Sequence, residues 1–61
     1  MIEYFRISYD KNGVFLTNKQ ISKIRKSTFE KEIVNCEAVN YNTWVKETKR
    51  KRIEIKIIKK L

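Results

Sequence analysis

The sequence predicts a small α+β fold, a single domain with an N-terminal β-hairpin, one helix and an antiparallel sheet completed by a basic C-terminal strand. Three observations carry that expectation. Residues 2–9 alternate with a period of two and lead into Asp10-Lys11-Asn12-Gly13, a turn sequence. Thr17 and Gln20 then stand three apart before Ile21, the spacing of a helix start. Near the end, Ile53, Ile55 and Ile57 alternate with Arg52, Glu54 and Lys56, which restores the strand period.

In the first element, Phe5, Ile7 and Tyr9 alternate with Tyr4, Arg6 and Ser8. The rings and Ile7 suit a pleated, half-buried surface. Asp10 can bond the backbone ahead of it, and Gly13 can take the positive φ that closes a bulged hairpin. Val14, Phe15 and Leu16 give a short return strand. A capping box follows: the Thr17 hydroxyl accepts from the Gln20 N–H while the Gln20 side chain reaches back to Thr17, and Leu16 and Ile21 form a hydrophobic staple around it. The expectation is a helix over residues 18–27, with Ile21, Ile24 and Thr28 on one face and Lys19, Lys23 and Lys26 on the other.

Beyond Thr28 the period of two returns in Val34, Cys36 and Ala38, then passes to Val39 and Tyr41, a one-residue slip that predicts a bulge near Ala38. Asn40 and Asn42 mark a bulge or a turn before a strand at Thr43, Trp44 and Val45. Lys49, Arg50 and Lys51 make an exposed connection to the last strand, which turns Ile53, Ile55 and Ile57 inward and Arg52, Glu54 and Lys56 outward. A helical tail is disfavoured, because Ile55 would point away from Ile53, Ile57 and Leu61 and the β-branched residues lose χ1 freedom in a helix.

Charge is concentrated in residues 46–61, where eight Lys or Arg stand against Glu47 and Glu54, a net +6 of the chain's +8. At 61 residues there is room for one domain, 1–61, and one modest core. Such a domain buries only about 60% of its unfolded surface, so a homodimer or a bound partner is a natural supplement. With 41% hydrophobic and 36% charged residues, a disordered class is excluded. No apolar run approaches about 20 residues and the N-terminus lacks signal-peptide character, so no membrane partner is expected. The lone Cys36 excludes an internal disulfide and points to a reducing, cytoplasmic setting. Frequent Ile, Lys and Asn resemble the usage of AT-rich phages and mobile elements.

Catalytic chemistry finds no foothold. There is no His, which removes the usual base and the commonest metal ligand. Cys36 therefore has no histidine to activate it and reads as a buried thiol. Glu30 and Glu32 sit among lysines as a charge-balanced edge, and no Gly-rich phosphate loop or Cys-x-x-Cys pair is present. No enzyme, metal or cofactor is expected. Residues 16–24 resemble the first helix of a helix-turn-helix motif, and residues 27–33 are faintly similar to a recognition-helix start. Only Arg25 and Lys26 separate them where that motif needs a fuller turn, and Glu30 and Glu32 would face phosphate, so the family is not adopted.

The positive signal is basic surface. Lys19, Lys23 and Lys26 form one cluster, and Lys49, Arg50, Lys51, Arg52 and Lys56 form another. A pI near 9.9 fits a nucleic-acid footprint. Tyr41 and Trp44 are the candidates to stack on an unpaired base, while Phe5, Phe15 and Phe29 are assigned to the core. The expected function is a nucleic-acid-binding accessory protein, for DNA or RNA. The alternative is a phage-type inhibitor or adaptor that docks on an acidic protein surface, for instance through an edge strand.

Overall fold

The computed structural model describes residues 1–12 and 15–60, with side-chain surroundings at 1–11 and 19–60. These form strands β1 (Ile2–Asn12) and β2 (Phe15–Ile24), a helix α1 (Lys26–Glu32) continued by a 3-10 turn (Ile33–Asn35), and strands β3 (Glu37–Asn40), β4 (Thr43–Glu47) and β5 (Lys51–Lys59). The strands make one five-stranded sheet in the order β2-β1-β5-β4-β3, antiparallel throughout. This is a small α+β fold, one helix on an antiparallel sheet with an N-terminal hairpin, as the sequence predicts.

The basic tail is the central strand. β5 pairs with β1 on one side and β4 on the other, and Ile55 at its middle is fully buried. Full burial of an isoleucine is worth about 1.5–3 kcal/mol. The alternation read from the tail holds. Ile53, Ile55 and Ile57 share a face with Tyr4 and Trp44, while Arg52, Glu54 and Lys56 take the other. Lys51 opens β5 opposite Asp10 and is not part of the turn. In the turn, the Thr48 N–H donates to the Lys51 carbonyl at 2.8 Å, and the Thr48 hydroxyl oxygen accepts from the Lys51 N–H at 3.1 Å. That side-chain turn replaces the Asn-Gly chemistry the sequence lacks.

The helix lies elsewhere than expected. Residues 18–24 are strand, paired with β1 from Tyr4 opposite Ile24 to Asp10 opposite Asn18. Cross-strand pairing along a long hairpin thus outweighs the local start signal at Thr17 and Gln20, since propensity is a weak prior against tertiary context. Phe15 and Leu16 of the expected return strand are strand, paired with Asn12 and Lys11. The turn at Gly13, the place of Val14 and the side chains of Leu16 and Thr17 lie outside the described residues. With residues 16–24 in a strand, the helix-turn-helix resemblance has no first helix.

α1 has a topological cause. β2 and β3 are opposite edges of the sheet, roughly 19 Å apart at about 4.8 Å per strand, and the chain between them must cross one face. It does so as α1 and the 3-10 turn. Phe29, the buried residue of α1, is wedged between Tyr4 of β1 and Trp44 of β4, with ring centroids at 4.7 and 5.2 Å. The Trp44 contact is edge-on, at 79°, one of the favoured aromatic geometries. An ion pair from Arg6 to Glu32 ties the end of the helix to β1. Ile33 and Val34, expected in a strand, belong to the 3-10 turn, and β3 begins only at Glu37. The expected bulge is present as a register shift between Ala38 and Asn40. Asn40 Oδ1 accepts from the Asn42 N–H at 3.0 Å and turns the chain into β4.

Candidate functional site

One face of the sheet carries α1; the other carries no element among the described residues. The cross-strand registers sort the side chains of the open face into three rows. The first runs Lys19, Tyr9, Arg52, Glu47. The second runs Ile21, Ile7, Glu54, Val45, and the third Lys23, Phe5, Lys56, Thr43. Each aromatic of β1 on this face is therefore bracketed by two cations one strand away, Lys19 and Arg52 about Tyr9, Lys23 and Lys56 about Phe5.

The face is compact despite being uncovered. Ile7, Val45 and Thr43 are buried on it. The Arg52 and Lys11 side chains keep only 32% and 18% of their exposure, so their stems cover apolar surface while their charges stay wet. Phe5 and Tyr9 are half-buried. The Lys19 ammonium stands 5.9 Å from the centroid of the Tyr9 ring, within cation–π reach.

Three carboxylates temper the positive charge. Glu3 is buried and holds Lys60 at 2.7 Å and Lys23 at 2.9 Å. Hydrogen bonds from Lys60 and then Lys23 pull its pKa from 4.5 down to about 2. Glu54 binds Arg52 at 3.0 Å and lies 3.9 Å from Lys56. Glu47 pairs with Lys11, whose hydrogen bond lowers its pKa, and with Arg52 at 3.5 Å. Burial pushes the Tyr9 hydroxyl up, with the Glu54 charge adding and Arg52 opposing. Lys19 has no carboxylate partner among the described residues.

Of the candidate residues, Lys19, Lys23, Arg52 and Lys56 converge on this face. Lys49 and Arg50 sit exposed in the turn at its end. Lys51 shares the helix-side face with Asp10, and Lys26 opens α1 on that side. Trp44 packs against Phe29 on the helix side. Tyr41, 92% exposed in the turn before β4, lines a groove of about 500 Å³ with Ile2, Asn42, Ile57, Ile58 and Lys59. Neither ring joins the bracketed pair. The aromatics that do are Phe5, assigned to the core by the sequence reading, and Tyr9, which that reading left aside.

Cys36 is half-buried, its thiol donating to the Glu32 carbonyl at 3.4 Å. Burial, and then the charge of Glu32, push its pKa up, which leaves it a poor nucleophile near neutral pH. Among the described residues there is no group of three or more His, Cys, Asp or Glu that could hold a metal ion, and no helix is long and apolar enough to cross a membrane. Compared with family models, curated proteins and solved structures, the chain matches none.

Proposed function

We propose that this chain is a small nucleic-acid-binding module that contacts phosphates through the open face of its sheet. Lys19, Lys23, Arg52 and Lys56 make the footprint, and Lys49 and Arg50 extend it at the turn. The observation that carries the reading is convergence: cations distant in sequence bracket the same two rings from both sides. The ion pairs to Glu47 and Glu54 reduce the charge available to phosphate without cancelling it, because an exposed pair such as Arg52–Glu47 is weak. Phosphates neutralised by lysines and arginines release counterions, so affinity falls steeply with salt. The test is binding of labelled DNA and RNA across a salt series, with charge reversal at Lys19, Arg52 and Lys56. Salt-independent binding, or reversal without effect, would end the proposal.

A second reading rests on a separate observation. Among the described residues β2 is an outer strand with one backbone edge unpaired, and its Ile21 is 58% exposed. An inhibitor or adaptor would use such an edge to add a partner's strand. A stoichiometric protein partner recovered from nuclease-treated lysate, and lost on Ile21→Asp, would favour this reading.

A further inference from the structure

β1 turns its more apolar side away from the helix. Phe5, Ile7 and Tyr9 occupy the open face, whereas Arg6 and Ser8 share the helix-covered face with Tyr4. Ile7 is buried there, while Phe5 and Tyr9 are only half-buried. In so small a domain, large rings left short of full burial point to contact with something else. We propose that Phe5 and Tyr9 are stacking platforms for an extended single-stranded nucleic acid. The inference rests on the nucleic-acid reading above and names the substrate class of the same face.

Spacing favours a single strand. Residues five and nine of one strand lie roughly 14 Å apart, with Ile7 midway at about 7 Å from each. Bases stacked in a duplex strand rise only about 3.4 Å each. Rings so far apart cannot continue one regular stack, but they do receive splayed bases, each of which offers a π-face whatever its identity. The flanking charges fit as well. Each ring has a cation about 4.8 Å to either side, so a backbone running along β1 meets Lys23 and Lys56 beside one stacked base and Lys19 and Arg52 beside the other.

The other occupants fit less well. A B-form major groove, about 12 Å wide, admits a helix or a two-stranded ribbon, while these cations sit on β2 and β5 within a sheet roughly 19 Å across. A second copy stacked face to face would set one net positive face on another, since the rows hold Lys19, Lys23, Arg52 and Lys56 against Glu47 and Glu54.

The experiment is fluorescence anisotropy with a labelled oligothymidylate of about ten nucleotides, alone and annealed to its complement, at several salt concentrations. The expected result is tighter binding of the single strand. Tyr9→Leu and Phe5→Leu should each weaken it roughly tenfold without changing the salt slope, and Tyr9→Phe should bind nearly as the parent does. Trp44 emission, from the opposite face, checks that each variant is folded; should Phe5→Leu unfold, the Tyr9 pair carries the test. Equal or tighter duplex binding, with Tyr9→Leu indistinguishable from the parent, overturns the single-strand inference and leaves the phosphate reading standing. No binding of either form at low salt overturns both. A dimer dispersed by Tyr9→Glu, in which oligothymidylate does not compete, also overturns the inference.

Discussion

The Lys19 ammonium lies over the ring of Tyr9, 5.9 Å from its centroid, across the β1–β2 ladder. This contact marks the one cation of the rows that no carboxylate holds among the described residues, and so the one readiest for a phosphate. Lys19→Gln is expected to leave the fold intact, weaken oligonucleotide binding, and make the log–log salt slope shallower by about 0.7, the share of one phosphate on a single strand. Anisotropy titrations at graded salt measure it.

Glu47 works against binding. It engages Lys11 and Arg52 at the margin of the open face and is itself well exposed. Glu47→Gln frees Lys11 and removes one of the two carboxylates on Arg52, which Glu54 still holds. Affinity for nucleic acid should therefore rise several-fold at low salt, with the gain fading as salt screens it. Thermal stability should change little, because exposed pairs contribute little. The same titration, with a melting curve beside it, checks both halves.

Where the sequence was legible, one period decided the matter. Ile53, Ile55 and Ile57 announced β5, residues 2–9 announced β1, and the slip near Ala38 announced the bulge. The start of β2 at Phe15 and Leu16 was legible, but residues 18–24 were hidden because neither of their faces is apolar. Ile24 shares a side with Ser22 and Gln20, and Ile21 lies between Lys19 and Lys23. An edge strand over an open face needs no clean alternation, and the local capping signal filled the gap. The true helix carries no such signal: its N-cap is Arg25, without a side-chain cap bond, and a single buried residue, Phe29, anchors it. The site was half legible. Charge clusters were visible in the chain, but only the registers place Lys19 and Lys23 on the face of Arg52 and Lys56. Phe5 lies half-buried on the open face and not under the helix, whereas the more apolar side of a strand ordinarily faces the covered side.

Acid should destabilise the fold through Glu3. Its pKa is lowered from 4.5 to about 2, so the stability it contributes is fully present above its unfolded value and is lost as pH falls through the folded one. Glu47, also lowered, acts in the same direction. The urea midpoint, followed by Trp44 emission, should fall as pH drops from 4.5 towards 2. Glu3→Gln should flatten much of that decline.

The core hangs on Ile55 and Phe29. Ile55→Ala at a fully buried site is expected to cost about 2–5 kcal/mol, and Ile55→Val about 0.5–1.5. Phe29→Ala, which empties the space between Tyr4 and Trp44, should cost about 3–5 kcal/mol and release α1 from the sheet. Chemical denaturation ranks the three, and far-ultraviolet dichroism shows whether helix signal goes first.

An amide NMR titration with oligothymidylate tests the open face most directly, since every described residue of the sheet reports on it. The largest shifts should fall on Phe5, Ile7 and Tyr9 of β1 and on Lys19, Lys23, Arg52 and Lys56, while α1 and Trp44 stay quiet. Shifts confined to α1, to the outer edge of β2 or to the groove beside Tyr41, with the bracketed rings unmoved, would contradict it.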